Sequence, residues 1–109
     1  IVGLLGQPGK VGYSASKGAL ISASKSLALE LASKKIRVNS VLPAMVKTEM
    51  SINLLEKIPD DAKIKIEDMH PLGIGSPDDV ANAVVFLLSD LSKWITGTSM
   101  IVDGGYSSL

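Results

Sequence analysis

Ile36-Arg37-Val38-Asn39-Ser40-Val41-Leu42-Pro43 is the stretch on which the fold turns. It is rich in β-branched residues and halts at a proline, so residues 36–42 read as a strand. Upstream, residues 14–33 read as a helix: Leu20, Ala23, Leu27 and Leu31 recur at helical spacing. Ser14 or Ser16 is placed to cap it, and Lys34-Lys35 suit the negative end of its dipole. Its other positions are mostly small (Ala15, Gly18, Ala19, Ser22, Ser26, Ala28), which lets another backbone approach closely. Downstream, residues 77–91 read as a helix with Ser76 as N-cap, Pro77 at N1 and Asp78-Asp79 in the positive first turn. Val80, Val84, Leu87 and Leu91 form its stripe, and Val85 and Leu88 widen it, so a broad buried face is expected. Ser99–Val102 reads as a second strand, turned out of the sheet by Asp103-Gly104-Gly105.

The ends of the chain and the middle complete this order. Residues 1–12 read as the tail of a buried strand followed by a loop supplied with Gly3, Gly6, Pro8, Gly9 and Gly12. Residues 44–70 read as two short surface helices whose charges, Lys57 to Asp68, form a solvated face. Strand tail, helix, strand, insert, helix, strand is the alternation of an α/β layer with parallel strands.

Composition narrows the function. The chain has 109 residues, 46% apolar and 20% charged, the profile of one small globular domain at most. Eleven Lys+Arg balance eleven Asp+Glu, whereas a phosphate-backbone binder carries a basic excess, so no nucleic-acid partner is expected. With no cysteine and one histidine, disulfides, a thiolate zinc site and a histidine metal cluster are excluded, and no metal is expected. The longest uncharged stretch, Val80–Ser89, is far short of the ~20 residues a membrane helix needs. No secretory signal is read at the start, and a cytoplasmic location is the expectation.

In an open parallel sheet ligands bind beyond the carboxyl ends of the strands. The segments that reach that edge bring Tyr13 and Lys17, then Pro43 to Thr48, then Asp103 to Gly105. Tyr13 and Lys17 stand four apart at a helix start and share a face. An ammonium beside a phenol favours the phenolate, and such a pair can pass a proton to or from an oxygen at neutral pH. Spacing alone also fits a helix-end tyrosine beside a solvated lysine.

The run Tyr13-Ser14-Ala15-Ser16-Lys17-Gly18-Ala19-Leu20 resembles the active-site segment of the short-chain dehydrogenase/reductase family. Arg37-Val38-Asn39-Ser40-Val41-Leu42-Pro43 is similar to the family's next strand, and Pro43 through Met50 to the loop that holds the nicotinamide. Gly75-Ser76-Pro77-Asp78-Asp79-Val80-Ala81 is similar to the start of its last long helix. Ile95-Thr96-Gly97 with Val102-Asp103-Gly104-Gly105 is similar to its closing strand. The likeness runs in order through essentially the whole chain and is nearest in kind to bacterial 3-oxoacyl-[acyl-carrier-protein] reductases.

The resemblance implies the C-terminal part of a doubly wound, Rossmann-type parallel sheet in three α/β/α layers, residues 1–109 being the C-terminal half of one oxidoreductase domain. It implies an NAD- or NADP-dependent interconversion of a small-molecule carbonyl and alcohol. Tyr13 would be the acid/base, and Lys17 would assist it and bond the nicotinamide ribose. Pro43, Ala44, Val46 and Thr48 would complete the cofactor contact, Val46 through its backbone to the carboxamide and Thr48 to the carboxamide or a phosphate. Residues 49–69, with Glu49, Met50 and Leu54, would be the substrate lid. A homodimer or homotetramer, built partly on the helix at 14–33, is also implied.

The sequence departs from the family pattern at Ala44, where glycine is usual, and in Pro71-Leu72-Gly73-Ile74-Gly75, which lacks the frequent basic residue. The glycine-rich phosphate loop, the catalytic serine and the relay asparagine have no counterpart: Gly3-x-x-Gly6 does not open a helix, and Asn39 reads as structural. The serine would fall just before Ile1, so the sequence is expected to be part of a longer polypeptide, and the 109 residues alone are expected to be inactive. The competing reading is a non-catalytic relative acting as an assembly or docking module. Trp94 is expected to pack under the last strand, His70 to be a solvated turn residue, and the methionines to fill gaps, with Met50 able to touch substrate.

Overall fold

The computed structural model describes residues 1–108. Two strands, β1 (Ser40–Pro43) and β2 (Ser99–Val102), pair in parallel with Ser40 opposite Ser99 and Pro43 opposite Val102. Helix α1 (Val11–Leu31) precedes β1. The connection between the strands carries α2 (Glu49–Leu55), α3 (Asp60–Asp68) and α4 (Pro77–Leu88), so the expected alternation and the two short helices of the insert are present.

Several boundaries differ from expectation, each for a local reason. The strand is four residues long, where Ile36–Leu42 was expected to be continuous. Residues 37–39 do run beside 95–98, but only one backbone bond joins them, from the Gly97 N–H to the Val38 carbonyl at 2.7 Å, and side chains supply the rest. Asn39 donates to the Ile95 carbonyl and accepts from the Thr98 N–H, both at 3.1 Å, while the Val38 N–H donates to Thr96 Oγ1. Arg37 reaches across to the carbonyls of Ile95 and Leu87 at 3.2 and 2.7 Å. Helix α1 begins earlier than expected, and its N-cap is Lys10, with no side-chain cap bond. Neither Ser14 nor Ser16 caps it: both lie inside the first turns, and Ser16 donates back to the Tyr13 carbonyl at 2.8 Å. Residues 1–5 form a turn on the Ile1 carbonyl rather than a strand tail, and among the described residues they meet β1 through one bond, from the Ile1 amino group to the Pro43 carbonyl at 3.0 Å.

Helix α4 starts as its sequence requires. Ser76 Oγ accepts from the Asp79 N–H and Asp79 accepts from the Ser76 N–H at 2.7 Å, a reciprocal capping box with Pro77 at N1. The Ser76 backbone bond, then its hydroxyl, hold the Asp79 carboxyl below the usual carboxylate range. The helix ends at Leu88, before the expected residue 91, because Ser92 is fully buried and donates to the Leu87 carbonyl at 2.9 Å, folding the chain into a 3-10 turn. That turn aims Trp94 outward. It is 96% exposed and does not pack under β2.

The core that these elements share is small: Ala28 from α1, Leu42 from β1 and Leu87 from α4. Of the apolar stripe of α4 only Leu87 is buried, while Val84, Val85, Leu88 and Leu91 face solvent. The broad buried face expected there is uncovered in this chain. The radius of gyration, 15.7 Å, exceeds the ~13 Å of a closed domain of this length, and the sheet is open on both edges. Among the described residues no helix is long and apolar enough to cross a membrane, and no group of three potential metal ligands occurs.

Two predictions follow from this packing. A two-stranded sheet with so little core is marginal in water, so the isolated 109-residue chain should self-associate. A monomeric, cooperatively unfolding species in sedimentation and melting would contradict this. In the natural polypeptide, stability from the Asp79 box should be present above the carboxylate's unfolded pKa of about 3.9 and lost as pH falls through its lower folded value. Asp79→Ala should flatten that acid limb in denaturation curves taken between pH 2 and 6.

Candidate functional site

Three segments meet beyond the carboxyl ends of the strands, as the topology requires. The Ala44 N–H extends the ladder to the Val102 carbonyl at 3.3 Å, and the Leu72 N–H donates to Gly104 at 3.0 Å. A cavity of about 1190 Å³ opens there, lined by Tyr13, residues 43–46, Thr48, Glu49, Met50, Ser51, Asn53, Leu54, Lys57, Pro77 and Val80. It is walled mainly by apolar side chains. Every named contact residue except Lys17 lines it, Ser51, Asn53 and Lys57 join from the expected 49–69 lid, and Pro77 and Val80 are additions that only the fold reveals.

Tyr13 stands at the cavity wall, half exposed, in the first turn of α1. Lys17, one turn on, holds its Nζ 5.4 Å from the tyrosine ring centroid. Neither the phenol hydroxyl nor the ammonium has a hydrogen-bond partner among the described residues, so both are available to a ligand. What places this pair is a backbone approach. A Cβ on Gly3 would stand 2.7 Å from the Lys17 backbone carbonyl carbon and Cβ, so only glycine lets the first turn of the chain lie against α1 here.

The 43–48 segment is fixed from one side. The Lys47 N–H donates to the Gly75 carbonyl at 2.8 Å, and the Gly75 N–H donates to the Met45 carbonyl at 3.2 Å, bridging Val46 to Gly75 in parallel. Across a trans peptide the C=O and the next N–H point in opposite directions. The Met45 carbonyl faces Gly75, so the Val46 N–H faces away from it, and it has no partner among the described residues. Ala44 is accommodated without strain: its backbone is not left-handed, and its N–H is already paired.

Thr48 has a structural duty that its sequence position did not reveal. It is the N-cap of α2, accepting from the Ser51 N–H at 3.3 Å. Ser51 is buried, accepts from the Thr48 N–H at 2.9 Å, and donates to the Val46 carbonyl at 2.5 Å. Met50 is 81% exposed on the α2 side of the cavity, with Glu49 and Leu54 beside it. Asp103 is consumed by its own turn, accepting from the Gly105 and Ser107 N–H groups at 3.0 and 2.8 Å. Hydrogen bonding from Ser107, the largest cause, keeps its carboxyl low.

His70 is not the solvated turn residue expected. It is 6% exposed, and its ring lies 4.9 Å from that of Tyr106. Its Nδ1 is 2.7 Å from the Ile66 carbonyl, and the Met45 N–H donates to its Nε2 at 3.4 Å. Its position between the C-terminus of α3 and Pro71 was the one available signal.

The sequence profile of the Enoyl-(Acyl carrier protein) reductase family matches residues 1–107. The 3-oxoacyl-[acyl-carrier-protein] reductase FabG of Aquifex aeolicus is 45% identical over 106 residues, covering 96% of this chain and 41% of that protein. A short chain dehydrogenase family protein from Francisella tularensis has a crystal structure that superposes with TM-score 0.88 at 42% identity, over 96% of this chain and 47% of that one. The chain belongs to the short-chain dehydrogenase/reductase family. A 4-hydroxyisoleucine dehydrogenase solved with NADH superposes with TM-score 0.90 at 32% identity, over 98% of this chain and 44% of its own. The architecture is therefore that of a Rossmann-type sheet, of which this short-chain dehydrogenase/reductase sequence contributes two parallel strands and the helices around them. The chain spans about two fifths of the length of the curated relatives it matches.

The approach at Gly3 yields a test. Gly3→Ala should push the 1–5 turn off α1 at a cost of roughly 1–3 kcal/mol. It should appear as a lower denaturation midpoint in the natural polypeptide, whereas Gly6→Ala, with open space around it, should leave the midpoint nearly unchanged.

Proposed function

We propose that the natural polypeptide carrying this sequence is an NAD(P)-dependent oxidoreductase that interconverts a carbonyl and an alcohol. The observation that carries the reading is the pairing of Lys17 with Tyr13, which walls a largely apolar cavity also lined by Val46, whose N–H has no partner among the described residues. The residues fit a nicotinamide: a free backbone donor suits a carboxamide oxygen, and apolar side chains suit the face of a ring. When bound, the cofactor supplies the hydride.

The chain's own residues handle the proton and the positioning. The Tyr13 hydroxyl hydrogen-bonds the substrate's carbonyl oxygen and gives up its proton as the alcohol forms; in the reverse direction it accepts one. Lys17 places positive charge beside the phenol, which stabilises the phenolate left behind, and reaches the ribose. Pro43 and Ala44 wall the ring. Thr48 is read toward the carboxamide rather than a phosphate. Its hydroxyl proton is directed to Ser51 Oγ at 3.3 Å, which leaves it a lone pair for an amide N–H but no proton for an anion.

Met50 and Leu54 line the outer cavity, and their apolar surface suits an acyl chain. With the relative from Aquifex aeolicus being a 3-oxoacyl-[acyl-carrier-protein] reductase, a 3-oxoacyl thioester is the substrate class proposed. The exposed Leu20 and Leu27 of α1 are the surface proposed for a homodimer or homotetramer.

Tyr13→Phe in the natural polypeptide should reduce kcat by about 10²–10⁴-fold while leaving NAD(P)H binding intact. Turnover near that of the unaltered protein would remove Tyr13 from the mechanism. Failure of the unaltered protein to bind NADH or NADPH would point instead to a non-catalytic module.

A further inference from the structure

We infer that His70 is a positioning residue, resting on the reading of the cavity as the nicotinamide site: its neutral ring ties α3 to the Ala44–Met45 peptide, next to the one that presents the Val46 N–H. Three segments converge on it. Its own backbone follows the C-terminus of α3, Met45 lies in the 43–48 segment, and Tyr106 belongs to the 3-10 turn after β2.

The hydrogen bonds settle the ring's chemistry. A carbonyl only accepts, so Nδ1, 2.7 Å from the Ile66 oxygen, carries the proton. Nε2 then has its lone pair free, and the Met45 N–H fills it. An imidazolium has no acceptor, so this arrangement exists only with a neutral ring in the Nδ1–H tautomer. Met45 is thereby held at both ends, its N–H by His70 and its carbonyl by Gly75. With the preceding peptide and the Met45 carbonyl of its own peptide both oriented, the direction of the Val46 N–H is set before any ligand arrives. A donor held in place spares the ligand the cost of ordering it. The same ring is bonded to α3 through Ile66, so a movement of that helix is felt at Met45.

The test uses the natural polypeptide. His70→Phe keeps a ring against Tyr106 but removes both polar contacts. The KM and dissociation constant for NAD(P)H should rise about tenfold, with kcat changed less than twofold and the melting temperature close to that of the unaltered protein. His70→Gln restores an acceptor within reach of Met45 and should recover most of the affinity. Nitrogen-15 spectra of the labelled histidine should show the Nδ1–H tautomer. Unchanged affinity in His70→Phe, a fall in kcat equal to the rise in KM, or the Nε2–H tautomer would overturn the role of His70. If the unaltered protein binds neither NADH nor NADPH, the cavity reading itself falls, and the assignment falls with it; the tautomer measurement stands apart from that outcome.

Discussion

The pairing of Pro43 with Val102 fixes where both strands stop, and the chemistry hangs from that point. The Ala44 N–H makes the next rung, to the Val102 carbonyl, and after it the two chains diverge. One leads into the cavity wall, the other into the Asp103 turn. Shifting the register by one residue would turn Leu42 out of the core and carry Val46 away from Gly75. The short ladder therefore does more than hold two strands together. It sets the level at which Val46 meets Gly75 on one side and the cavity walled by Tyr13 on the other.

Beyond that rung the backbone is used sparingly. Between Ala44 and Thr48 almost every backbone donor is assigned: Ala44 to Val102, Met45 to His70, Lys47 to Gly75, Thr48 to Val46 and to Ser51. The Val46 N–H is the exception. A buried or half-buried donor left open costs stability unless something fills it, and here the open donor lies where the cavity is lined by apolar side chains. Ser51 supports the arrangement by turning its hydroxyl onto the Val46 carbonyl, which leaves the N–H as the one backbone group of Val46 open to a ligand.

What could be read from the sequence was chemistry contained in a few neighbouring residues. Ser76-Pro77-Asp78-Asp79 specifies a helix start by itself, and Tyr13 with Lys17 shares a helix face by spacing alone. Pro43 and the glycines after Val102 end a strand wherever they occur. Features that depend on distant partners were less legible. The outer half of the 36–42 strand is replaced by Asn39, Thr96 and Arg37 side-chain bonds, which no periodicity reports. The α4 stripe is apolar, yet whether it is buried depends on what lies over it, and among the described residues only Leu87 is fully covered. Trp94 follows from the same cause. His70 looked like a turn residue because its partners, Met45 and Tyr106, lie 25 and 36 positions away.

The proline at the end of β1 also bears on how the chain meets other chains. Ser40 and Ala44 direct their N–H groups at β2, so by alternation Val41 and Pro43 face the free edge. Proline brings no N–H, which leaves that edge of β1 a single donor, from Val41. A bare strand edge is ordinarily a template for stacking one molecule on another, and this one is nearly blank. At that edge the Pro43 carbonyl also accepts from the Ile1 amino group at 3.0 Å, so it is the edge of β2, which carries no proline, that a copy of the isolated chain would find open.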